Sequence, residues 1–512
     1  MSKQLSYQLF ELIHRLTKAE KRHFKLYANR NSPEKEPFIV TLFDILDKQK
    51  EADEELVLKR FPHLKGNTLS NHRANLYEQL LSSLRLLHNN DPKIRIKELI
   101  TYAEVLHNKG LYRQSLVQLS KAKQLAIKKH IDILRLEVVE LEKVIETRYV
   151  TGSSPSRANE LTRESQKLRK QFYSSGSWSD LALQLYDYYL KFGHVKSEKQ
   201  QKEIEDYFRK NAPEKGNQVG ADTIFYYQSY VWYYHIVQNF PLCFKYSKKW
   251  TEFLLENEIM VQEEPEMFIR GYHNILSSLF FCDDAKRFRK EFGALEEFIK
   301  EREDSFNQSQ LIQSFIYLET GRLNLYVLEG RFTEGAIYCK SFEEKLAEFE
   351  SQLDIHHKIT FQYKMAVLKF GSEDYHGSLR HLNVIINNPA VPLKEDIQSY
   401  ARFLALIVHY ELGNDDLIYF QIKSTYRFML KLKDFQKVHA AIFKFLKKSI
   451  YMDRKILIPY FKDLKEELLE VIEDEYERRP MLYLDVISWL ESKIQDVPVE
   501  EVIRKKKLAK GA

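Results

Sequence analysis

Helix-breaking residues are scarce: 16 glycines and 13 prolines in 512 residues, about half the share of an average globular chain. That scarcity disfavours a turn-rich β sandwich or barrel, collagen and low-complexity disorder. Only three cysteines occur, Cys243, Cys282 and Cys339, widely spaced and without a CxxC pair. This argues against both a disulfide framework and a structural zinc site. No apolar run approaches the roughly 20 residues of a membrane helix. Glu11, His14, Arg15 and Lys18 interrupt the first turns, so no signal-peptide core is expected. The expectation is no membrane association and a cytoplasmic location.

What is present is apolar and charged in balance, 44% hydrophobic and 30% charged residues, with 13% aromatics. A chain of this length divides into several domains or forms an elongated repeat array. The net charge of +6 is uneven. Residues 1 to 90 hold 15 basic and 11 acidic side chains, and Arg504 to Ala512 hold five basic and none acidic, which leaves −3 for residues 91 to 503. Any phosphate contact would therefore come from the ends. The densest candidate basic patch is Arg15, Lys18, Lys21, Arg22, Lys25 and Arg30, whose simplest account is a solvated helix face.

Pro155, Pro213, Pro265, Pro389 and Pro459 are far apart, and residues 266–388 contain none. Apolar residues recur at helical spacing, as in Ile131, Leu134, Val138, Leu141 and Ile145. The chain reads as all-α. Thr17 with Glu20 forms a capping box, Pro33 and Pro37 precede IVTLFDILDKQ, and NTLSNHRANLYEQLLSSLRLL reads as a long helix. A helical bundle over 1–95 is expected, then an α-solenoid over 96–455, capping helices over 456–500 and a disordered basic tail over 501–512.

Within the body, Ala103, Leu106, Gly110, Tyr112, Ser115, Leu119 and Ala122 run small, large, turn glycine, aromatic, small, large, small. The order returns at Tyr326, Gly330, Phe332 and Gly335, and at Ala366, Phe370, Tyr375, Ser378 and Leu382. This resembles the helix-turn-helix signature of tetratricopeptide (TPR-like) repeat proteins. Turn positions at 110, 152, 193, 238, 283, 330, 373 and 413 give intervals of 40 to 47 residues, longer than the standard unit, so the helices are lengthened. Such amphipathic pairs bury their apolar faces by stacking into a superhelix.

The resemblance implies a concave peptide-binding groove lined by the first helix of each pair at its second, fifth, ninth and twelfth positions. On this sequence those fall at Phe225, Gln228, Trp232 and His235, continuing to Arg270 and His273, to Tyr317 and Asn324, and to Tyr363. FYYQSYVWYY, residues 225–234, carries seven aromatics in ten positions, and these either face the groove or pack between long helices.

Signatures of chemistry are missing. No P-loop, GxGxxG, HExxH, GxSxG or EF-hand pattern occurs. His356 and His357 are adjacent and point about 100° apart on a helix, so with Asp354 they form a polar helix start rather than a metal site. Asp283 and Asp284 read as a helix cap, and the cysteines read as core. No catalytic, cofactor or metal residues are expected.

The leading reading is a non-enzymatic scaffold or regulator that binds a protein or peptide in the groove. An alternative is a nucleic-acid-linked regulator using residues 1–95, with Asn67 to Arg73 opening a recognition helix. The layout is also similar to response-regulator phosphatases, onto which no catalytic residue can be carried. The partner's identity and the oligomeric state do not follow from the sequence.

Overall fold

The computed structural model describes the chain apart from residues 1, 31–37, 50–56, 59, 62–65, 149–155, 214–220, 389–394, 432–434, 450, 451, 453–455, 479, 480, 482, 483 and 512. Among the described residues the protein is all-α, helices with a few 3-10 turns and no strand. Among the described residues no helix is long and apolar enough to cross a membrane. The chain forms two compact units, residues 1–170 and 171–512.

In the first unit, helices α1 (Ser2–Arg15), α2 (Lys18–Arg30), α3 (Phe38–Lys48) and α4 (Gly66–Leu87) surround Leu9, Ile13, Phe24, Leu42, Phe43, Leu76 and Leu80. The expected capping box starts α2: Thr17 N donates to Glu20 Oε2 at 2.7 Å and Glu20 N to Thr17 Oγ1 at 3.2 Å. Helices α5 (Pro92–Asn108), α6 (Tyr112–Lys128) and α7 (Asp132–Arg148) build a second core on Ile96, Leu99, Leu119, Ala122 and Val138. Helix α8 (Arg157–Phe192) contains the division at residue 170.

The second unit continues with α9 (Glu198–Asn211), α10 (Ala221–Ile236), α11 (Phe240–Leu255), α12 (Glu258–Glu263), α13 (Pro265–Phe281), α14 (Ala285–Arg302), α15 (Gln308–Leu328) and α16 (Phe332–Phe349). It goes on through α17 (Ile355–Gly371), α18 (Tyr375–Ile386), α19 (Glu395–Glu411), α20 (Asp415–Lys431) and α21 (Lys437–Ser449), and closes with α22 (Ile458–Val471), α23 (Val486–Gln495) and α24 (Val499–Gly511).

The turns explain the hairpins. Of the eight turn positions read from the sequence, the one at 152 lies outside the described residues. The other seven have left-handed backbone: Gly110, Gly193, Gln238, Asp283, Gly330, Glu373 and Gly413, with φ between 57° and 76°. At six of them the following residue's N–H reaches back to a helix carbonyl, as in Asn239 N to Tyr234 O at 2.9 Å and Arg331 N to Tyr326 O at 2.9 Å. This closes the first helix with a Schellman cap and starts the second within two residues.

The fifth residue after the turn is small where two helices cross closely. Ser115 Oγ donates to Ala103 O at 2.7 Å, Ser378 Oγ to Ala366 O at 2.9 Å, and Cys243 Sγ to Val231 O at 3.6 Å. Gly335 sits at the same position, and a Cβ there would stand 2.7 Å from Leu368 Cδ2.

Hairpins follow one another in series: α11 packs on α13, α13 on α15, α15 on α17 and α17 on α19. This stacking is compatible with the expected solenoid. The core runs through Trp250, Ile275, Leu295, Phe342, Phe361, Leu404, Ile442 and Trp489.

The basic end differs from the expected disordered tail. Residues 499–511 form helix α24, anchored through Val502 and Ile503, which are buried. Thr333 N donates to Glu500 Oε2 at 3.0 Å, Arg504 Nε donates to Gly330 O at 3.1 Å, and Lys507 pairs with Asp283. The isolated sequence RKKKLAKGA conceals this because its stabilising partners are turn residues far away in the chain.

Candidate functional site

A cavity of about 830 Å³ opens in the second unit, lined by α8, α10, α13, α15 and α17. All nine expected groove residues line it: Phe225, Gln228, Trp232, His235, Arg270, His273, Tyr317, Asn324 and Tyr363. Their register is uniform. Relative to each left-handed turn residue, the positions thirteen, ten, six and three before it face the cavity in α10, α13 and α15.

Applied evenly, that register also gives Ser277, Phe280, Thr320, Val327, Thr360 and Val367, which line the cavity and were not singled out from the sequence. The signal for them was already present in the first hairpin's spacing. Tyr186 and Tyr189 of α8 add a wall that precedes the turn at Gly193 in a shifted register.

The aromatic helix divides its faces. Tyr226, Tyr230 and Tyr233 turn away from the cavity into a cluster with Phe208 and Tyr246, including a Tyr230–Tyr246 stack at 4.5 Å. Phe225 and Trp232 face the cavity, with Trp232 against Tyr186 at 4.8 Å. Different stripes of one helix thus line the cavity and pack between helices.

Cations and amides converge here. Among the described residues the lining contains Lys191, Lys196, Arg270 and Lys364 and no Asp or Glu. Lys191 pairs with Asp187 at 2.7 Å beside the lining. Lys364 donates to Asn324 Oδ1 and lies 5.5 Å from the Phe280 ring centroid. Arg270 is exposed to the cavity and forms no ion pair among the described residues. Burial holds the Tyr186 phenol above its ordinary value, and the charge of Arg270 opposes that shift.

His235 is ringed by Tyr189, His194, Trp232, Phe240 and Phe281, and burial lowers its imidazole to about 4. At neutral pH it is uncharged.

The other sequence candidates are structural. Asp354 caps α17, accepting from His357 N at 2.9 Å, and its other oxygen meets His357 Nδ1 at 2.8 Å. Asp284 caps α14 by accepting from Arg287 N at 2.9 Å. Burial pushes the Cys243 and Cys339 thiols up to about 12, away from the thiolate a nucleophile requires. Among the described residues no group of three potential ligands is placed to hold a metal ion.

In the first unit, three members of the basic patch are neutralised, Arg15 by Glu11 at 2.6 Å, Lys21 by Asp47 at 2.5 Å and Lys25 by Asp44 at 2.6 Å. Lys18, Arg22 and Arg30 are exposed. At the expected recognition helix, Arg73 is only 3% exposed and His72 packs on Phe38 at 4.6 Å. Neither is presented as a base-edge reader. The side chain of Asn67 lies outside the described residues.

Comparison with protein-family models, with curated proteins and with solved structures yields no match.

Proposed function

We propose that the protein is a non-enzymatic binding protein that holds a peptide or an extended segment of a partner protein in this cavity. One observation carries the reading: successive hairpins supply the same register positions to a single aromatic-lined surface that, among the described residues, has cations and amides and no carboxylate. Its volume falls within the range of about 300–1,000 Å³ typical of enclosing ligand sites. Tyrosine, tryptophan and histidine faces provide stacking area, while Gln228, Asn274 and Asn324 provide amides that pair with a peptide backbone.

With Arg270 and Lys364 facing inward and Asp354, the nearby acid, held by His357 at 2.8 Å, the favoured ligand carries negative charge next to apolar groups. A basic ligand would bury its charge unpaired, which costs several kcal/mol on the order of a lost buried pair.

The test is capture from immobilised peptide pools graded from acidic to basic. Selective retention of acidic, aromatic-containing peptides, lost in a Trp232→Ala, His235→Ala double variant and in Arg270→Glu, supports the reading. Retention that ignores charge and survives both sets of changes rejects it.

A further inference from the structure

A second cationic surface lies in the same unit, away from the cavity lining, where residues 91–503 carry a net negative charge. Residues 417–448 contain eight Lys or Arg and one acid, Asp434. Six of the cations, Lys423, Arg427, Lys431, Lys444, Lys447 and Lys448, are exposed on α20 and α21, and none makes an ion pair among the described residues. Elsewhere in this unit, lysines and arginines commonly hold carboxylates, as in Lys248–Glu291, Arg322–Glu296 and Lys465–Glu491. The field of the cluster is felt locally: Lys423, with Lys447 behind it, draws the Tyr419 phenol below its ordinary value.

Apolar surface accompanies the charge. Phe420 is 69% exposed and Leu417 and Leu430 about half exposed, unusual for large apolar side chains on one helix. Between α20 and α21 an open cleft is lined by Tyr426, Phe435 and Phe443, with Lys444, Lys447 and Lys448 along its edge. Tyr426 and Phe435 meet edge to face at 4.8 Å, which fixes the cleft's shape. Phe443 is recessed at 4% exposure.

We propose that this cleft is a second binding site and that it takes an acidic amphipathic helix from a partner protein. An inserted helix places apolar side chains at successive turns into a groove while its acidic flanks meet the lysine rim. A flat anionic membrane would reach Phe420 but leave the recessed Phe443 uncovered. A nucleic-acid backbone would satisfy the lysines but not the apolar lining.

The experiment uses the full chain and a fluorescein-labelled helical peptide of about 18 residues, roughly five turns, with leucines on one face and glutamates on the other. Fluorescence anisotropy is expected to show saturable binding, weakened at least about tenfold by Lys423→Glu, Lys444→Glu and Lys447→Glu together. The same triple variant should gain affinity for the matched peptide carrying lysines in place of glutamates. Circular dichroism confirms that these surface changes leave the fold intact. Arg270→Glu should not alter this binding, which separates the site from the cavity. Absence of saturable binding, equal binding by the triple variant, or binding only of phosphatidylserine vesicles or of duplex DNA would overturn the proposal.

Discussion

His273 lies flat against Tyr317, ring centroids 4.2 Å apart and planes inclined by 13°, so the stack joins two neighbouring hairpins into one continuous wall of the cavity. Each ring occupies a repeat register position, His273 ten residues before the turn at Asp283 and Tyr317 thirteen before Gly330. Tyr317→Ala removes the shared face, and the affinity for a cavity-bound acidic peptide should fall about tenfold, the scale of one aromatic contact with its burial. Tyr317→Phe keeps the stack and should keep most of the affinity. Titration of both variants with one captured peptide measures the difference.

Two helical glycines should respond oppositely to alanine. A Cβ at Gly371 would stand 2.2 Å from Phe332 Cδ1, whereas one at Gly293 meets nothing within 4 Å. Gly371→Ala should destabilise by about 1–3 kcal/mol because a buried ring must move. Gly293→Ala should stabilise by up to about 1 kcal/mol through helix propensity alone. Urea unfolding of the two variants tests both signs.

Glu373 ends α17 in left-handed backbone at φ 63° with its side chain exposed. Glycine adopts that conformation without the Cβ penalty. Glu373→Gly should raise stability by about 0.5–1 kcal/mol, net of what the more flexible unfolded chain gains. A lowered melting temperature would show that the side chain makes a compensating contribution.

His381 is 2% exposed, its Nδ1 is 2.7 Å from Gln362 Oε1, and burial lowers its imidazole to about 4. The folded protein keeps this ring neutral where the unfolded chain, titrating near 6.5, accepts a proton. Stability contributed by the neutral ring is therefore present above pH 6.5 and is lost progressively as pH falls toward 4. His381→Gln should flatten the pH dependence of unfolding free energy in that window, by an amount on the order of 1–3 kcal/mol. Unfolding curves collected from pH 4 to pH 7 read it directly.

The turns were the most legible feature because their chemistry is local. The repeat order of flanking residues placed Gln238 and Glu373, and the period near 43 residues helped to place Asp283, without a glycine to mark them, and all three have left-handed backbone. The cavity lining was legible in position, since register follows from the same turns. Which of its cations are neutralised was not, because that depends on which lysines and arginines meet acids in the folded chain. The charge cluster on α20 and α21 was hidden by averaging over residues 91–503. The buried Arg73 and the docked helix α24 depend on tertiary partners that no local pattern encodes.

Tyr476 hydroxyl donates to Gln201 Oε1 at 2.8 Å, and its ring joins the cluster around Trp178, Ile204 and Phe208. The turn that follows α22, late in the second unit, is thereby fastened to α9, near that unit's start. A linear stack of repeats loses its terminal members first, each governed by one neighbour. A stack whose late residues grip its early ones has no such member to lose, so melting any hairpin exposes two interfaces. The second unit is accordingly expected to melt as a single cooperative block, with amides at Gly413 and Gly330 exchanging at comparable rates instead of in order along the chain.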